Sequence, residues 1–353
     1  MLVPYSATRV LTAVVALLAL ALFPEAMACA RGCHLSANPL LDAASRWDGD
    51  SYLTLARDGY VNADRSNMAF FPLYPFLMRV LGAAFGGSDD AYLAAGVLIS
   101  NAALAVAVLY LVRLVALDRD MPTGLRAALY LLVFPTSVFL AAVYAESLFL
   151  ALAIAAVYHA RRGEWLLAAG LAGLAALAKP FGAVIALPLV IEAIRRGEGL
   201  RALGAVASAP ATFFAWLAVL WRMTGDPLAL LTAQASWGSR PSLPGQAFVD
   251  LFDRSVYGFP FFVLAFTIVI GVLTVFGWRV LAPSLAAYAT AIFLVGISTG
   301  SLTSAPRYYL MVFPAFVVLA IVAPAWLARG YVAVATALGV ILTAMFALWY
   351  WVA

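Results

Sequence analysis

The stretch Arg46-Trp47-Asp48-Gly49-Asp50-Ser51-Tyr52 places a guanidinium, an indole and two carboxylates within seven residues. On a helical wheel over 44–58, at about 100° per residue, Asp48 falls in the middle of an apolar sector with Ala44, Trp47, Tyr52, Leu55 and Ala56. Asp50 falls opposite, with Arg46 four residues before it and Arg57 seven after. The two acids therefore differ in kind. Asp50 reads as a surface ion-pair partner, worth about 0–1 kcal/mol. Asp48 is pressed toward protein or bilayer, where a carboxylate must find a donor, raise its pKa or line a polar cavity. Helix capping or pairing with an Arg of another loop is the ordinary structural role of such a carboxylate. An Asp-x-Asp string is weak evidence for a metal site, because the wheel sends the two side chains apart.

Five other places concentrate chemistry. Glu146 lies between two apolar runs, as a buried acid able to bind hydroxyls or as a helix cap. Lys179, the only lysine, stands at a Lys-Pro break, and Arg307 precedes an apolar run; either cation can hold an anionic group or snorkel to an interface. Phe70-Phe71-Pro72-Leu73-Tyr74-Pro75 can wall a substrate, with Tyr74 as polar handle, or anchor the chain at an interface. Asp226, Gln234, Trp237 and Arg240 have the composition of a carbohydrate platform, with nothing in the sequence to bring them near Asp48.

These residues are carried by a chain that cannot be soluble. Of its 353 residues 65% are hydrophobic and 11% charged, against about 45–50% and 25% in soluble domains, and the mean hydropathy is +1.00. Apolar runs fall near 8–28, 92–117, 127–142, 146–160, 165–178, 181–194, 203–222, 257–278, 281–298, 308–327 and 331–352. They predict one all-α polytopic domain over 1–353 with about eleven spans, the pairs within 127–160 and 165–194 being short or tilted hairpins that turn at Tyr144–Ser147 and Lys179-Pro180.

Counting charge by side orients the chain. Arg9 and the arginines of alternate turns give one face 11 basic and 5 acidic residues, and the other face 10 and 12. The first is cytoplasmic by this rule, with the N-terminus on it. Residues 29–91 and 223–256 are then long outer loops, and 70–86, with Arg79 in its middle, reads as an interfacial or re-entrant helix. The bias to Arg over Lys, with the heavy use of Ala, is the composition of a GC-rich bacterial genome, and the expected location is then the bacterial plasma membrane. The net charge of +4 reflects this topology, and no basic cluster suggests nucleic acid.

The first apolar run ends in Ala26-Met27-Ala28-Cys29-Ala30, a possible cleavage site, although a retained first span is favoured over a signal peptide. Cys29 and Cys33 are the only cysteines. They can be free or form a disulfide, and with His34 they supply too few ligands for a structural zinc site.

RWDGDSYLTLARDGY, followed by AFFPLYPFLMRVL, resembles the paired signature of PIG-V-type mannosyltransferases. Further matches follow in order: Tyr144-x-Glu146-Ser147-Leu148-Phe149, Leu177-Ala178-Lys179-Pro180-Phe181-Gly182, Gly225-Asp226-Pro227, and Arg307-Tyr308-Tyr309 before Phe313-Pro314. Lys179 departs from the Arg found in many relatives, which keeps a charge but loses the bidentate fork. The resemblance implies a GT-C glycosyltransferase fold with juxtamembrane helices in the first outer loop. It also implies an outward-facing site and a polyprenyl- or dolichyl-phosphate-mannose donor, with Asp48 as general base and inversion at the sugar. A lipid-phosphate leaving group calls for cationic donors, for which Lys179 and Arg307 are the candidates. Arg46, Trp47, Asp50, Tyr74, Glu146 and Tyr308 are the candidate substrate contacts. The acceptor would be a glycolipid or glycan hydroxyl, and no cofactor or metal is expected. The competing class is a transporter or flippase of lipid-linked sugars; such proteins tend to show repeated halves, and none is visible here.

Overall fold

The computed structural model describes residues 2–26, 33–61, 63–253 and 260–352, and every regular element among them is helical. In the N-terminal half these are α1 (Leu2–Leu22), α2 (Pro39–Ala44), α3 (Asp48–Asp58), α4 (Leu73–Ala84), α5 (Asp89–Val115), α6 (Met121–Leu132), α7 (Glu146–Arg161) and α8 (Trp165–Ala178). They are followed by α9 (Ala186–Arg196), α10 (Gly199–Thr224), α11 (Ala229–Ser236), α12 (Gln246–Asp253), α13 (Pro260–Val280), α14 (Pro283–Ile297), α15 (Ala305–Tyr308), α16 (Phe313–Val322) and α17 (Ala325–Ala347).

Every apolar run of the sequence contains a helix, but the expected count of eleven is not matched at full length. Among the described residues α1, α5, α10, α13 and α17 are long and apolar enough to cross a bilayer, and the pair Ala305–Met311 and Phe313–Val322, bent by 73°, makes a sixth. The shortfall has a physical cause. The 16 residues of α7 rise only about 24 Å at 1.5 Å per residue, against about 30 Å of hydrocarbon. The helix packs against α5, α8 and α9, so its length answers to protein neighbours and not to lipid.

Both expected breaks occur. Glu146 opens α7 after a 3₁₀ turn at Ser137–Leu140. Lys179 is extended (φ −154°, ψ 153°) between α8 and a 3₁₀ turn at Pro180–Ile185. That turn folds back tightly: a Cβ on Gly182 would lie 2.3 Å from the Cα of Ala176, so only glycine fits.

The first long loop is structured. Asn38 caps α2 by accepting from the amides of Leu40 and Leu41, and Ser88 caps α5, whose first turn carries Asp89 and Asp90, as helix N-termini favour. Between them α4, 12 residues long, is too short to cross and packs on α5. The second loop is pinned at both sides. The indole N–H of Trp237 donates to the carbonyl of Ser66 at 3.0 Å. The amides of Arg240 and Ser242 donate to the carbonyls of Thr299 and Ser298 at 2.8 and 3.0 Å. Gly300, at φ +72°, permits this approach, because a Cβ there would sit 2.8 Å from the carbonyl oxygen of Arg240.

Candidate active site

The chain reaches Asp48 through a turn that is costly to make. Trp47 has φ +60° and ψ −113°, a region that bulky residues avoid and that costs on the order of 1–3 kcal/mol. The residue before it is clamped. Arg46, 1% exposed, donates to Glu25 at 2.7 Å and to the carbonyl of Ala347 at 3.1 Å, pairs with Asp42 at 2.8 Å, and lies 4.7 Å from the centroid of Trp349. The hydroxyl of Tyr144 donates to the carbonyl of Arg46 at 3.0 Å and accepts from the amide of Asp48 at 3.1 Å. Asp48 thus starts α3 with its carboxylate at the positive end of the helix.

The wheel expectation fails for Arg46. Helix α3 begins at Asp48, so the phase that places Arg46 beside Asp50 is lost across Ser45–Trp47. Arg46 is a structural clamp between α1, α2 and α17. Asp50 pairs with neither arginine: Arg57 bonds Asp58 and Asp89, each at 3.0 Å. It lines the cavity instead, and desolvation raises its pKa, opposed weakly by Arg57.

Opposite Asp48 stands Arg307, from the bent α15–α16 segment, with Nη1 2.5 Å from Asp48 Oδ2. Its guanidinium lies 5.4–5.5 Å from the ring centroids of Phe139, Tyr144, Tyr308 and Trp351. Its Nε is 3.5 Å from Glu146 Oε1, which also accepts from Lys179 Nζ at 2.6 Å. Two acids and two bases from α3, α7, the break after α8 and α15 therefore form one neutral, largely buried cluster. Burial pushes the Lys179 ammonium below its ordinary pKa, with Glu146 opposing.

The cluster borders a cavity of about 1330 Å³, larger than the roughly 300–1,000 Å³ of common ligand pockets. Asp48, Asp50, Lys179, Arg307, Tyr308 and Trp47 line it, which gathers six of the expected site residues. Phe70 and Phe71 line it too, but Tyr74 does not: it is fully buried and its hydroxyl bonds the Gly96 carbonyl at 2.9 Å and Ser100 at 2.8 Å. Glu146 likewise lies behind the wall, fully buried. Gln234, Trp237 and Arg240 form part of the cavity lining, so the pinned second loop does reach Asp48. Asp226 is not part of that lining, and it accepts from the Leu228 amide and the Thr232 hydroxyl beside α11. Sequence reasoning missed Trp349 and Trp351, which line the cavity and meet Trp47 edge-on at 5.6 and 5.3 Å; the aromatic trio at the end of the last apolar run was the available signal.

Cys33 is disulfide-bonded, and Cys29 lies outside the described residues. His34 turns to Asp42, 2.8 Å away. Among the described residues no three His, Cys, Asp or Glu side chains form a metal-holding group.

A sequence profile for mannosyltransferase (PIG-V) matches residues 9–196, more than half of the chain. The chain belongs to the PIG-V mannosyltransferase family. The match covers the Arg-Trp-Asp turn, Glu146 and Lys179, and ends before Arg307. No functionally curated protein matches the sequence significantly. The fold is similar to that of ArnT from Cupriavidus metallidurans, a GT-C glycosyltransferase whose crystal structure holds undecaprenyl phosphate. The superposition has a TM-score of 0.53 at 17% identity, and it covers 90% of this chain but 59% of ArnT. This PIG-V family member shares the all-helical GT-C fold of ArnT, and the chain spans about three fifths of the length of that relative.

Proposed function

We propose that this PIG-V family protein transfers mannose from a polyprenyl-phosphate-mannose donor to a hydroxyl of a glycolipid or glycan at the outer face of the plasma membrane. The observation that carries the reading is that Asp48, Arg307 and Lys179 meet at one cavity wall. Asp48 is the general base. It takes the proton of the acceptor hydroxyl as that oxygen bonds to the anomeric carbon, while the bond from that carbon to the donor phosphate oxygen breaks. A β-linked donor then gives an α-mannoside by inversion.

The leaving group is a phosphate monoester, with a second pKa of about 6, so it departs as an anion without a general acid. Lys179 and Arg307 offer charged donors to it in a site shielded from water. These cations supply the charge stabilisation, and we read the reaction as metal-independent. Arg307 bonds Asp48, so the donor phosphate and the base share one guanidinium. The apolar wall at Phe70 and Phe71 suits the first isoprenes of the donor, and Trp237 and Arg240 face the acceptor.

The test is incubation of purified protein with polyprenyl-phosphate mannose and glycoside acceptors, with and without chelator. The expected result is a mannosylated product in both. Flux of the lipid-linked sugar across liposomes without any transfer would replace this reading with a transporter.

A further inference from the structure

Glu146 sits where a substrate cannot touch it, yet it touches both cations that border the cavity. It has no exposure to solvent. One oxygen, Oε1, contacts both Lys179 Nζ at 2.6 Å and Arg307 Nε at 3.5 Å. The other, Oε2, is buried without a hydrogen-bond partner among the described residues. A buried carboxylate is normally kept only when its partners satisfy it, so this geometry is tuned to the two cations and not to the carboxylate itself.

We infer that Glu146 is a positioning residue that keeps Lys179 protonated and holds the Lys179 and Arg307 side chains converged for the phosphate of the lipid-linked ligand. The inference rests on the donor-phosphate reading given above. Lys179 is the vulnerable member. An arginine stays charged at any working pH, whereas a buried lysine without a counter-ion loses its proton as the pH rises. The charged groups facing Lys179 are Glu146 on α7, Arg307 on α15 and Asp48 on α3. Asp48 is already paired with Arg307, and Arg307 itself disfavours a second positive charge. Glu146 is therefore the group on which the Lys179 charge depends. It also explains how lysine serves at this position: a single ammonium, lacking a fork, needs its direction fixed by a partner.

The experiment measures binding of undecaprenyl phosphate to the purified full-length protein in detergent between pH 6 and 9, each variant being expressed as a ratio to wild type at the same pH. That ratio removes the titration of the phosphate itself. Glu146→Gln should bind within about threefold of wild type at pH 6 and at least about tenfold more weakly at pH 9, as Lys179 deprotonates. Glu146→Asp keeps the charge on a shorter arm. It should bind a few-fold more weakly by a factor that does not change with pH. In mannosyl transfer by the same variant the donor KM should rise, and kcat should fall with it because the same cations stabilise the departing phosphate.

If Glu146→Gln does not fold, Glu146→Asp decides alone: a pH-independent rise in donor KM supports the inference, and a fall in kcat at unchanged KM overturns it. A Glu146→Gln ratio that is flat with pH also overturns it, because a merely structural acid would weaken binding equally throughout. Wild-type protein that binds no polyprenyl phosphate at any pH refutes the donor reading and the inference together, and is distinguished from the other outcomes by the wild-type curve.

Discussion

Replacing Arg307 by Met removes the one cation that bridges Asp48 and Glu146. The side chains of Arg307 and Asp48 are 8% and 14% exposed, so water cannot fully replace the lost partner, and an unpaired buried charge costs about 3–5 kcal/mol. The four rings around the guanidinium also lose a cation, and each such contact is worth about 0.5–2 kcal/mol without being additive. Adding Asp48→Asn removes the stranded carboxylate and leaves the Glu146–Lys179 pair neutral by itself. The double variant should therefore be more stable than Arg307→Met alone, with a coupling energy of at least about 1 kcal/mol, in the range found for contacting residues. The assay is equilibrium or thermal unfolding in detergent of wild type, both single variants and the double, which needs no substrate. If the two losses simply add, Asp48 and Arg307 do not interact in the folded protein and the neutral-cluster account is wrong.

Three further outcomes follow from the same geometry. Tyr144→Phe leaves the Asp48 amide and the Arg46 carbonyl without their shared hydroxyl, at a cost of about 1–3 kcal/mol; steady-state kinetics should show a lower kcat with the donor KM within about twofold. Trp237→Ala releases the second loop from Ser66, and the KM of a glycoside acceptor should rise several-fold while donor binding is retained. Tyr74→Phe should lower stability by about 1 kcal/mol and change neither substrate KM, since its hydroxyl bonds only Gly96 and Ser100; a shifted KM would return Tyr74 to the site.

Charge and motif carried much of this site in the sequence. Asp48, Lys179 and Arg307 stand out there because a mostly apolar chain keeps so few charges, and each proves to border one cavity. The helical wheel failed two residues before Asp48, at Arg46. Arg46 and Asp50 share a helix face only if the helix runs through both, and the left-handed turn at Trp47 is a tertiary feature held by Tyr144 and the Arg46 clamp. Aromatic composition could not tell Phe71 at the cavity from Tyr74 behind it, because both lie in one cluster and only packing against α5 separates them. Gln234 and Trp237 carried the right chemistry, but their distance from Asp48 depends on hydrogen bonds to Ser66 and to residues 298–299, far away along the chain. Span counting from sequence is limited for a related reason: hydropathy cannot distinguish a short helix enclosed by protein, such as α7, from one that must reach across lipid.

The account centres on Asp48 as the base, and transfer of mannose from polyprenyl-phosphate mannose by wild type and by Asp48→Asn, at matched folded protein, tests it most directly. General-base catalysis is worth about 10²–10⁴-fold, so the asparagine variant should lose at least about a hundredfold in kcat while still binding undecaprenyl phosphate. Transfer by Asp48→Asn at a rate near that of wild type would contradict the account.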